Sequence, residues 1–143
     1  MAMKKRYHTV NGMLIGETSN GVRRGYLSDA LGSVVATVDD NGAIENTYRY
    51  KPYGSLLAKT GSAADPRFMH AGDSGSRTTG LRHSEAYNRV RHLDHVSGRW
   101  TSMDPFWPSL SAFCYANSAP TVQIDPSGLV SISSSCACLG QPH

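Results

Sequence analysis

The sequence lacks any apolar run approaching the roughly 20 residues that span a bilayer, so no membrane-spanning helix and no membrane insertion are expected. Met13-Leu14-Ile15 is too short, and too soon broken by Gly16 and Glu17, to form the apolar centre of a signal peptide. No ordinary export signal is expected either. Charge is sparse: 14 Lys and Arg against 11 Asp and Glu leave +3, and charged residues make up 17 % of the 143. That balance excludes a highly charged disordered tail. Large aliphatic and Phe residues are also few. The 9 Val, 4 Ile, 10 Leu and 3 Phe are about 18 % of the chain, a level that signals disorder only when net charge is high. A chain of one domain's length with so thin a core is expected to pack against more of itself or against a larger partner.

Cysteine is scarce and odd in number. Cys136-Ala-Cys138 is too tightly spaced for a zinc knuckle or a redox Cys-x-x-Cys pair, and Cys114 stands alone. The three read as ordinary thiols, with a disulfide between chains as the alternative. His92 and His95 have no acidic or Cys cluster beside them and read as surface histidines. Neither a metal nor any other cofactor is expected.

What the sequence has is turns and tyrosines. Its 14 Gly, 7 Pro and 7 Tyr describe a turn-rich β chain, in which each tyrosine buries a large ring while keeping a hydroxyl for hydrogen bonding. Asn11-Gly12, Asn20-Gly21 and Asn41-Gly42 each lie between β-prone segments, and Asn-Gly is the preferred two-residue hairpin turn. Strands are expected over 13–18, 22–27, 33–38 and 43–50. In the last of these Ile44, Tyr48 and Tyr50 share one face and Glu45, Thr47 and Arg49 the other. A weak repeat of Tyr followed by Gly (Tyr7 and Gly12, Tyr26 and Gly32, Tyr48 and Gly54) has the roughly 20-residue spacing of stacked hairpins. Tyr7, Tyr26, Tyr48 and Tyr50 are expected to supply the missing core between subunits.

Composition divides the chain into hairpins over 1–60, a Gly/Ser-rich loop over 61–80, a motif-bearing segment over 81–129 and a short tail over 130–143. Residues 86–93 are read as one strand. The stretch holding Arg82, Arg89, Arg91 and Arg99 is the most basic, but Glu85 and Asp94 interrupt it and no aromatic ladder accompanies it. A solvated, salt-bridged strand face is therefore expected, and no nucleic acid partner. Two Asp-Pro pairs, Asp104-Pro105 and Asp125-Pro126, mark the last third; such pairs also simply begin turns, the carboxylate capping backbone N–H groups.

Read in order, several segments resemble the YD-repeat proteins, and within them the Rhs repeat-associated core. They are Tyr26-Leu-Ser-Asp-Ala-Leu-Gly-Ser-Val-Val-Ala-Thr-Val-Asp-Asp-Asn-Gly42, Tyr48-Arg-Tyr-Lys-Pro-Tyr-Gly-Ser-Leu-Leu57, Gly80-Leu81, Tyr87-Asn-Arg-Val-Arg-His-Leu-Asp94, Ser97-Gly-Arg-Trp-Thr-Ser-Met-Asp-Pro105, Tyr115-Ala-Asn-Ser-Ala-Pro120 and Asp125-Pro-Ser-Gly-Leu129. The resemblance implies a mainly β fold of stacked antiparallel hairpins coiling into a sheet or shell-like segment, with few or no helices. In long relatives such a ribbon encloses a C-terminal toxin. This chain has room for two or three repeats and for 14 residues after Leu129, so on length neither a closed shell nor an independently folded toxin is expected.

The resemblance also implies an activity. Two Asp-Pro-x-Gly motifs of the family act as an intramolecular aspartyl protease that cuts after the residue following the final Gly. Carried onto this chain, Asp104 and Asp125 form the pair, Arg99 biases it, and the cut falls between Leu129 and Val130. Trp107 stands where the first motif has Gly, so the Asp104 loop is expected to be shaped differently, since Trp does not adopt positive φ cheaply. The leading expectation is a non-enzymatic, self-assembling core forming a β-rich filament, tube or shell outside the cell or at its surface. Single-turnover self-cleavage within a toxin-delivery system, with larger secretion or toxin-complex partners, is the second. A carbohydrate- or surface-binding module resting on Trp100 and Trp107 is the third.

Overall fold

The computed structural model describes residues 4–79 and 84–133. Arg82, His83, Cys136, Cys138 and the tail from 134 onward lie outside the described residues. Asn11-Gly12 and Asn20-Gly21 each place both residues at positive φ, 50° and 78°, then 50° and 85°, the backbone that matches a two-residue turn to the twist of its strands. They join β1 (Lys5–Val10), β2 (Met13–Ser19) and β3 (Val22–Ser28). The next two connections use a carboxylate instead. Asp29 Oδ1 accepts the N–H of Leu31 and Ser33, and Asp39 Oδ1 those of Asn41 and Ala43, all at 2.9 Å. At the third Asn-Gly pair only Gly42 has positive φ. These turns, with a backbone-closed turn over 51–55, add β4 (Val34–Val38), β5 (Ile44–Tyr50) and β6 (Leu56–Thr60). The result is a six-stranded antiparallel meander in chain order.

One face of this sheet carries Leu14, Tyr26, Val34 and Tyr48, with Tyr7, Tyr50 and Leu56 beside them. The cover for that face comes from the stretch read as a loop: Phe68 and Met69 pack onto the cluster, and Tyr7 meets Phe68 edge-on with ring centroids 5.1 Å apart. Tyr50 donates to the Val34 carbonyl at 2.6 Å. Burial raises the Tyr26, Tyr48 and Tyr50 hydroxyls above the usual tyrosine range. Within the single chain Tyr26 and Tyr48 are buried and Tyr7 and Tyr50 half-buried, with Phe68 and Met69 supplying apolar cover to this face.

β7 (Arg77–Thr79), β8 (Glu85–Asn88), β9 (Arg91–Asp94) and β10 (Arg99–Trp100) form a second sheet in the order β10-β9-β8-β7. The segment read as one strand over 86–93 is therefore a hairpin, turning at Arg89 (φ 57°) and Val90. Alternation sends Ala86, Asn88, Arg91 and Leu93 inward, where Ala86 and Leu93 pack with Trp100, Tyr115, Ala116 and Tyr53. The basic stretch is thus not wholly a solvated face, since Arg91 is buried. His95 is buried too, its ring 5.5 Å from that of buried His70, which corrects its reading as a surface histidine. β11 (Gln123–Ile124) and β12 (Ile132–Ser133) pair as a third, two-stranded sheet.

Candidate functional site

The Asp125-Pro-Ser-Gly-Leu129 turn is built around one carboxylate oxygen. Asp125 Oδ1 accepts the N–H of Gly128 at 2.8 Å, the N–H of Leu129 at 3.1 Å and the Ser127 hydroxyl at 3.0 Å. Ser127 Oγ in turn accepts the N–H of Leu129 at 3.1 Å and of Val130 at 3.3 Å. Gly128 has φ 76°, and a Cβ there would lie 2.6 Å from the Asn88 carbonyl oxygen and 3.0 Å from the Arg91 nitrogen. Only a residue without a side chain fits this approach to the second sheet. Asn88 Nδ2 donates to the Asp125 carbonyl at 3.1 Å and Arg91 Nε to that of Gly128 at 2.5 Å, so the hairpin β8–β9 grips the turn from below.

Asp104 reaches the same arginine from another loop. Its Oδ1 accepts the Phe106 N–H at 2.8 Å and its Oδ2 lies 2.8 Å from Arg91 Nη2, while Asp125 Oδ2 lies 3.9 Å from that nitrogen. The Arg91 guanidinium carbon sits 4.3 Å from the Trp100 ring centroid. A planar, always-charged guanidinium can stack on an indole and face two carboxylates at once, which an ammonium cannot. The Trp107 loop closes differently from the Asp125 turn: Trp107 is not among the positive-φ residues, and its N–H bonds to the Asp104 carbonyl at 3.0 Å.

The structure thus brings Asp104 and Asp125 together, and puts Leu129 and Val130 beside them on a cavity of about 110 Å³ that Arg91 and Cys114 also line. Arg99 is exposed, paired in register with Asp94 on the sheet edge. The cation at the pair is Arg91, which sequence reasoning passed over; its inward place in the alternation with Ala86, Asn88 and Leu93 was the available signal. Trp100 is buried beneath Arg91 and Trp107 is exposed. Among the described residues no group of three or more His, Cys, Asp and Glu is arranged to hold a metal ion, and no helix is long and apolar enough to cross a membrane. Two carboxylates on one cation fasten the Asp104 loop and the Asp125 turn beside the Leu129–Val130 peptide.

No protein-family model matches the chain. It is 32 % identical over 122 residues to salivary gland surface protein 1 of Aedes aegypti, covering 83 % of this chain and 3 % of that protein. It is 29 % identical over 126 residues to the tRNA3(Ser)-specific nuclease WapA of Bacillus spizizenii, covering 82 % of this chain and 5 % of the nuclease. Among solved structures it superposes on TcdB2-TccC3 with a TM-score of 0.75 at 19 % identity, over 89 % of this chain and 7 % of that one. It also superposes on TcdB2-TccC3 without its hypervariable C-terminal region, with a TM-score of 0.70 at 19 % identity over 89 % and 6 %. In the Photorhabdus luminescens Tc holotoxin pore the TM-score is 0.68 at 17 % identity over 89 % and 7 %. The chain therefore has the antiparallel β fold of a segment of these toxin-complex proteins, and it spans only a few per cent of the length of each protein it resembles.

Proposed function

We propose that this chain is a closing segment of a toxin-delivery β shell, and that it cuts itself once, after Leu129. The observation that carries the reading is the convergence of Asp104 and Asp125 on Arg91 next to Leu129–Val130. Asp125 takes a proton from water attacking the Leu129 carbonyl, while Asp104 keeps Arg91 paired beside it. Arg91 holds the two loops in place for this step through Asp104 Oδ2 and the Gly128 carbonyl. Nearly nine-tenths of the chain follows a small part of toxin-complex chains, which supports larger toxin-complex components as partners and an extracellular place of action. Intact mass spectrometry of the purified chain tests the reading. A species ending at Leu129, absent from the Asp125→Asn variant, is the expected result, and a single full-length mass overturns it.

A second reading is favoured by the sheet edges. Among the described residues β1 and β6 each pair with one strand only, leaving ladders that further strands extend, from a longer chain or from a second copy in a homopolymer. Size-exclusion chromatography with negative-stain imaging separates the two sources: a monomer at micromolar concentration removes the homopolymer.

A further inference from the structure

We propose that Ser127 is the proton relay to the leaving nitrogen when the chain is cut after Leu129; this rests on the self-cleavage reading above. Ser127 Oγ touches both an acid and a reacting atom, lying 3.0 Å from Asp125 Oδ1 and 3.3 Å from the nitrogen of Val130, the amine that the cut releases. Asp125 Oδ1 is itself held by the N–H groups of Gly128 and Leu129, upstream of the scissile bond. A proton on that oxygen therefore reaches the Val130 nitrogen through the hydroxyl.

In the resting state the Ser127 hydroxyl donates to Asp125 and accepts from Val130. Once water has added to the Leu129 carbonyl, the Val130 nitrogen is pyramidal and carries a lone pair, so the direction reverses. The proton lost by the attacking water sits on Asp125 Oδ1. It passes to Ser127 Oγ as the Ser127 proton passes to the Val130 nitrogen, and the bond between the Leu129 carbonyl carbon and that nitrogen breaks. Leu129 is left as a carboxylic acid and Val130 as an amine; no proton or electron is unaccounted for, and Ser127 and Asp125 return to their starting states.

A hydroxyl that only closes the turn predicts something else. Without the hydroxyl the turn keeps the Asp125 contacts to the N–H groups of Gly128 and Leu129, so a purely structural Ser127 affects melting temperature and leaves the protons in flight unchanged. The test is a time course of the full chain made by cell-free synthesis and read by intact mass, in water and in mixtures with deuterium oxide. Expected are slowing by on the order of 100-fold in Ser127→Ala, retention of most of the rate in Ser127→Thr, and a bowed dependence of the wild-type rate on deuterium fraction, as two moving protons require. Cutting of Ser127→Ala at close to the wild-type rate, a linear wild-type dependence, or a Ser127→Thr variant as slow as Ser127→Ala overturns the relay while self-cleavage stands. A wild-type chain that stays full length overturns both. Should Ser127→Ala fail to fold, the wild-type deuterium dependence and the Thr variant still decide.

Discussion

Arg91 Nη2 lies 2.8 Å from Asp104 Oδ2, with the two side chains only 2 % and 4 % exposed. Charges this deep are costly to bury singly, so each depends on the other. Arg91→Met leaves Asp104 and Asp125 as buried carboxylates without their cation and is expected to destabilise the fold by about 3–5 kcal/mol. At this chain length the melting temperature falls by roughly 10–20 °C. Arg91→Lys is expected to recover little of this, because an ammonium cannot stack on Trp100 and reach the Gly128 carbonyl together. Thermal melts of the three proteins check both statements.

The Asp125 turn separates fold from chemistry. Asp125→Ala strips three donors of their acceptor and is expected to cost about 1–3 kcal/mol. Asp125→Asn keeps an acceptor oxygen, so a smaller loss is expected in urea unfolding, while the cut after Leu129 disappears in both variants.

Gly54 and Gly12 form a matched pair. Both have positive φ, 96° and 78°, but a Cβ at Gly54 would lie 2.6 Å from His70 Cγ, whereas nothing lies within 4 Å of one at Gly12. Gly12→Ala is expected to cost about 1–2 kcal/mol, the left-handed backbone alone. Gly54→Ala is expected to cost about 1–3 kcal/mol more, as the buried ring must move. Denaturant midpoints with unchanged slopes check the difference.

How far the sequence foretold all this depends on where each signal is stored. Asn-Gly turns are local, since the two residues themselves favour positive φ, and the first two hairpins follow the expected strands closely. The turn at Arg89–Val90 has no such mark: an Arg at φ 57° is held there by the strands on either side. Phe68 and Met69 lie in the stretch read as a Gly/Ser-rich loop, because their role as cover exists only once the meander offers a face. The carboxylate pair could be read from the two Asp-Pro motifs, but its cation could not. Arg91 and Arg99 are alike in sequence, and the turn at 89–90 together with the Trp100 ring sends Arg91 inward.

Stability is expected to depend on acid through His70. Its burial, with His95 adding to the effect, pushes it down to about 3 from an ordinary 6.5. The unfolded chain then binds a proton that the folded chain refuses. The contribution is fully present above pH 6.5 and is lost as pH falls toward 3, at about 1.4 kcal/mol per pH unit. Unfolding free energies from pH 7 to pH 4 check the slope, which His70→Leu is expected to flatten.

Asp104, Asp125 and Arg91 are proposed to form a site that cuts the chain in which they stand. Intact mass spectrometry of the full chain, followed over time after synthesis, tests it most directly. A fragment ending at Leu129 together with a peptide beginning at Val130 is expected, and neither product from Asp104→Asn or Asp125→Asn. A chain that keeps its full mass while folded, or one cut with the same products in both variants, contradicts it.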